Sequence, residues 1–228
     1  MDNSHGSQIR VCIDRKVAPR PSNERMALVR ASLWPPRSII RAAFLDGDPS
    51  VHERVKTVAL TWLDYAKLSL YFVPAVNQAD IRISFKQPRS WSSLGTGCHS
   101  YPPDEATMNY GWLTPDSTAD EVSQVVLHEF GHALGCIHEH QNPAGGIQWN
   151  KAAVYEYYGG PPNIWSKAEI DHNIFETYDE DLTVHSQVDS ASIMMYPIPR
   201  SMTMDGFEVG WNTQLSPTDK DFIRKAYP

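Results

Sequence analysis

Cysteine is scarce in this chain of 228 residues, with Cys12, Cys98 and Cys136 the only three. So small and odd a number excludes a disulfide-built scaffold and leaves at least one thiol outside any internal pair. Long apolar runs are missing too. No stretch approaches the roughly 20 apolar residues of a membrane span, and the opening M-D-N-S-H-G-S-Q-I-R lacks the apolar region of a signal peptide. Positive charge is outnumbered, with 20 Lys and Arg against 27 Asp and Glu and a formal net charge of -7. That balance argues against nucleic acid or an anionic membrane as a main partner. There is no internal repeat and no low-complexity tract.

What remains, 41% hydrophobic residues, is enough to bury a core in one domain or in two lobes sharing a cleft. Residues 1–37 carry four prolines and little periodicity. They read as an extended leader or prosegment with one strand at Ile9–Ile13. From Ser38 onward, 38–228 reads as one folded unit. Ile39–Phe44 is a short apolar run closed by the turn sequence Asp46-Gly47-Asp48-Pro49. Val51, Val55, Val58, Ala59, Trp62 and Ala66 then recur at helical intervals, with Asp48 or Ser50 as N-cap. Strands are expected at Leu68–Val73 and Ala79–Phe85, the second alternating Ile81, Ile83 and Phe85 against Arg82 and Ser84, a loop over Trp91–Pro103, and an edge strand at Thr107–Trp112 able to receive an extended peptide. Beyond His140 the chain is rich in Pro and Gly, with short helices near Lys151–Tyr157 and Lys167–Phe175 and a last helix, Pro217–Lys225, capped by Ser216.

The chemistry concentrates between Val122 and His140. Thr118-x-x-Glu121 forms a capping box, so a helix should run from Ala119 to about Leu134. His128 and His132 lie one turn apart on one face and can grip one metal ion, while Glu129 can reach a water held on that metal. Gly135 permits a positive φ that ends the helix and returns His138 as a third ligand. Three histidines leave a tetrahedral zinc one open position, the arrangement of a hydrolase. Cys12, in Arg10-Val11-Cys12-Ile13-Asp14, offers a thiolate that could occupy that position until the leader is cut. Cys98 and Cys136 read as small buried hydrophobes.

The motif H-E-x-x-H-x-x-G-x-x-H over His128–His138 resembles the signature of the metzincin clan of zinc peptidases. Ser192-Ile193-Met194-Met195-Tyr196 is similar to the clan's methionine turn, with Met194 as the turn methionine. Within the clan, Glu139 after the third histidine and the S-x-M-x-Y form resemble the astacin family, and the likeness covers about Ser38 to Pro228. It implies an α+β fold of two lobes. The N-terminal lobe, to about residue 138, would hold a mixed twisted sheet and two long helices. The lobe at 139–228 would be irregular and end in a helix.

The resemblance further implies a secreted, monomeric zinc endopeptidase acting on protein or peptide substrates. One catalytic Zn2+ would be held by His128, His132 and His138, and Glu129 would activate its water. Tyr196 would serve as a displaceable fifth ligand and oxyanion donor, or be a packed core tyrosine. Arg200, shortly after the turn, could favour an acidic side chain following the scissile bond. Glu139 would contact a processed N-terminus, as in mature astacins, or form a salt bridge. Met195 stands where astacins usually carry histidine and Pro197 where they carry glycine, and three cysteines cannot make the family's two disulfides. The alternative from another class is a catalytically silent, zinc-stabilised protein-binding module on the same fold.

Overall fold

The computed structural model describes residues 10–13, 32–177 and 188–228. The first strand, β1, is Ile39–Phe44. Asp48 then caps the helix α1, Pro49–Ala59, by accepting from the Ser50 N–H at 2.8 Å; the Ser50 hydroxyl, donating at 2.6 Å, and that N–H hold its carboxyl below the usual range. A 3-10 turn, Leu60–Asp64, leads to β2, Ser69–Phe72, and then to β3, Ile81–Ser84. Two-residue strands β4, Trp91–Ser92, and β5, Met108–Asn109, complete a five-stranded sheet of order β2-β1-β3-β5-β4. All its pairings are parallel except β4 with β5. The second long helix, α2, is Ala119–Ala133. Beyond it come α3, Lys151–Gly159, a short α4, Lys167–Ile170, and a C-terminal α5, Pro217–Ala226. The expected α+β architecture is present, and no described helix is long and apolar enough to cross a membrane.

Three expectations change. The segment Thr107–Trp112 does not form the sheet edge, because its strand β5 lies between β3 and β4. Thr107, Met108, Asn109 and Tyr110 are all fully buried, which an outer strand facing solvent would not allow. The edge is β4, inside a segment expected to be loop; two residues of pairing are too short to leave a pattern. Nor is Arg10–Ile13 a strand, although Ile13 donates its N–H to the Ser90 carbonyl at 3.1 Å; Ile9 lies outside the described residues. Finally, β3 is buried on both faces despite its polar Arg82. Its guanidinium is satisfied by the carbonyls of Glu105 (2.6 Å) and Pro102 (3.1 Å), so burial leaves no orphan charge.

Two apolar clusters form. The first joins the sheet, α1 and α2, and also takes Trp34, Met194 and, from the C-terminal end, Ile223 and Tyr227. The second gathers Val154, Tyr158, Trp165, Ile174, Met195 and Tyr196 from the irregular half, together with Val11 and Cys12.

Candidate metal centre

Helix α2 starts and stops where local chemistry says it should. Thr118 accepts from the Glu121 N–H at 3.2 Å, and Glu121 accepts from the Thr118 N–H at 2.8 Å, so the capping box is complete. At the other end Gly135 has φ of 94°. There Cys136 N–H donates to Gly131 O (2.9 Å) and Gly135 N–H to His132 O (2.8 Å), a Schellman closure. The next two carbonyls are taken by side chains, Ala133 O by Trp34 Nε1 (2.8 Å) and Leu134 O by the Tyr227 hydroxyl (2.7 Å). A helix end left without partners would be costly to bury; this one is satisfied at every carbonyl, and the chain can turn beneath the helix.

That turn brings His138 to His128 and His132. Each ring donates from Nδ1, His128 to Ile193 O (2.8 Å), His132 to Cys136 O (2.8 Å) and His138 to Gln141 Oε1 (3.2 Å). All three acceptors lack a proton to give, so each Nε2 carries a lone pair. The Cys12 thiol completes the group, 3.0 Å from His128 Nε2, 2.9 Å from His138 Nε2 and 3.7 Å from His132 Nε2. These four side chains, all buried, place their ligand atoms within 4.8 Å of one another. Three imidazole lone pairs and a thiol converging in a dry site are a donor set that fits zinc. Glu129, beside His128, is fully buried.

The floor is the turn Ser192–Tyr196. Met194 packs on α2 so closely that a Cβ on Gly131, at a variable position of the motif, would lie 2.3 Å from its sulfur. Tyr196 donates from its hydroxyl to the Cys12 carbonyl at 2.6 Å, and the same oxygen is 3.4 Å from Cys12 Sγ. Glu139 accepts from the Asp189 N–H (3.1 Å) and from Asn142 Nδ2 (3.2 Å), and burial pushes its carboxyl up to about 7. Arg200 is exposed at the start of the 3-10 turn Arg200–Met202, its guanidinium against Gly206. Cys98 and Cys136 are buried free thiols, Cys98 raised by burial to about 12 and Cys136 raised further.

Reading the sequence missed two supports. Asp219 accepts from the Ser192 hydroxyl (2.6 Å) and the Ile193 N–H (2.8 Å), and so ties the start of α5 to the turn beneath the histidines. Burial raises its carboxyl against the lowering effect of those bonds. Its place at the third position after Ser216 marks a capping box, but nothing local marks its reach to Ser192. Gln141 orients His138 while its Nε2 donates to His172 O at 2.9 Å.

No family model matches the chain. Two solved structures of myroilysin resemble it. One is 46% identical with a TM-score of 0.85 over 88% of this chain and 97% of that one. The other is 42% identical with a TM-score of 0.70 over 98% and 92%. High choriolytic enzyme 1, a hatching enzyme zinc-protease from the medaka fish Oryzias latipes, shares the fold at 14% identity and a TM-score of 0.57, over 85% of this chain and 92% of that one. A hatching enzyme of Paracentrotus lividus is 26% identical over 120 residues, 48% of this chain, and the match spans 19% of that protein's length. With the histidine motif, the methionine turn and this likeness along nearly the whole chain, the protein belongs to the astacin-like family of metzincin zinc metallopeptidases.

Proposed function

We propose that the chain is an endopeptidase that hydrolyses bonds within protein or peptide substrates outside the cell, acts as a monomer, and is held latent by Cys12. The observation that carries this reading is the convergence of three imidazole Nε2 atoms with the Cys12 thiol, with Glu129, the residue after His128 in the chain, fully buried. His128, His132 and His138 would hold the zinc, which when bound acidifies water and polarises a carbonyl. Glu129 takes the proton of the attacking water and hands it to the leaving amine. With the leader gone, the Tyr196 hydroxyl loses its bond to the Cys12 carbonyl and becomes available to the oxyanion. Met194 supports the ligand helix from below. Residues 1–37 act as the prosegment, followed by the catalytic unit 38–228 in two lobes meeting near residue 138. Arg200 favours an acidic residue after the scissile bond.

Latency has a physical basis in the packing. Cys12 presents its sulfur where substrate would approach, and Tyr196 clamps its backbone. Glu129→Ala protein should keep its zinc by metal analysis and lose casein digestion by about 100-fold or more. Undiminished digestion would remove Glu129 from the mechanism, and no chelator-sensitive digestion by any processed form would favour the silent binding module. Cys12→Ala protein should digest substrate before any processing. If it is no more active than the unprocessed parent, the thiol is not the block.

A further inference from the structure

A cavity of about 420 Å3 lies between the segment Gln87–Trp91, which precedes and enters the edge strand β4, and the helix α4. Pro88, Arg89 and Trp91 form one wall, and Ala168, Glu169 and His172 the other. Ile13 also lines it. Ile13 follows Cys12, and consecutive Cα atoms are about 3.8 Å apart, so the cavity opens one residue away from the thiol at the metal centre. The Ile13 N–H donates to Ser90 O at 3.1 Å, which ties the leader to the residue just before the edge strand β4.

We propose that this cavity is a substrate side-chain pocket adjoining the scissile bond, built for a large uncharged residue, with the Arg89–Glu169 ion pair as the wall that rejects charge. The inference rests on the peptidase reading above.

The walls are held in place by specific bonds. Asn109 of β5 donates from Nδ2 to Gln87 O (3.0 Å) and Arg89 O (2.6 Å). Trp91 Nε1 donates to Gln87 Oε1 at 2.9 Å. A Cβ on Gly111 would lie 2.5 Å from both Arg89 N and Pro88 C, so only glycine allows this segment its path. On the opposite wall, Glu169 caps α4 by accepting from the Ser166 N–H with one oxygen (2.8 Å) and meets Arg89 Nη1 with the other (2.6 Å). Arg89 also reaches Asn163 O at 3.4 Å. The pair therefore spans the two lobes with both charges engaged. A charged substrate side chain entering here would meet two charges already paired with each other, whereas an aliphatic or aromatic one gains the faces of Pro88, Trp91 and Ala168.

The test uses the full chain carrying Cys12→Ala and Glu129→Ala, loaded with zinc, so that peptides bind without being cut. Fluorescent peptides with Phe, Gly or Glu walked through each position are compared by anisotropy. At one position Phe should bind about 10-fold more tightly than Gly or Glu. Adding Ala168→Trp, which fills the cavity, should bring that ratio to about 2 or less, and adding Glu169→Gln should improve binding of the Glu peptide at the same position. An unchanged Phe preference in the Ala168→Trp protein, with native circular dichroism, overturns the pocket, as does a parent with no preference at any position. If selective binding is found but the Glu129-containing protein cuts none of the peptides, the peptidase reading falls and the pocket stands.

Discussion

The two apolar clusters are built differently. The first rests on a parallel sheet and two helices whose backbone groups are paired within the elements themselves, and its core residues Ile40, Ile83 and Phe130 are locked between layers. The second has short helices and, among the described residues, no sheet of its own; it is held by aromatic contacts such as Tyr158 stacked on Trp165 at 4.8 Å, and it draws Val11 and Cys12 into its interior. The metal centre sits where the two meet. His128 and His132 come from the regular side, while Tyr196 and Cys12 come from the irregular one. Two of the three histidines are thus carried by the half built on paired elements, while Cys12 and Tyr196 belong to the half held by side-chain contacts.

That contrast can be broken by experiment. Ile83→Ala in β3 should cost at the upper end of about 2–5 kcal/mol, because the paired strands and the helices of its cluster cannot collapse into the space. Ile174→Ala is equally buried but should cost nearer about 2 kcal/mol, since its surroundings can relax. Urea unfolding of both variants decides the matter, and equal losses would mean that the second cluster is as rigid as the first. Asp219→Ala removes the acceptor of Ser192 and Ile193 and should lower stability by about 1–3 kcal/mol. Its loss should also lower zinc affinity, since the Ile193 carbonyl orients His128. A variant with lowered stability but unchanged zinc affinity would show that Asp219 staples α5 without supporting the histidines. Smallest is Arg200→Gln, which should reduce any preference for an acidic residue after the scissile bond by about fivefold or less, because the guanidinium is exposed. A cleavage profile identical to the parent's would remove Arg200 from specificity.

Some of this was readable from residues alone. The capping box at Thr118, the break at Gly135 and the spacing of His128, His132 and His138 are local signals, and each appears as expected. Cys12 is a different case. Its thiol chemistry made it eligible as a zinc cap, but 116 residues separate it from His128, and only folding brings the two within 3.0 Å. The edge of the sheet was misplaced because β4 and β5 pair over only two residues each, below the length at which alternation carries information. Arg82 looked like the solvent face of a strand, and only the fold shows that carbonyls of a distant loop consume its donors.

By itself the sequence determined the ligand helix, its ends and its chemistry, because helix capping, i to i+4 spacing and a glycine turn act within a dozen residues. Tertiary structure alone decided which strand is the edge, what holds the methionine turn, where the Cys12 sulfur rests, and that Arg89 and Glu169 close a cavity between lobes. Those outcomes depend on contacts between residues far apart in the chain, whose energies come from burial and complementary partners that no local pattern encodes.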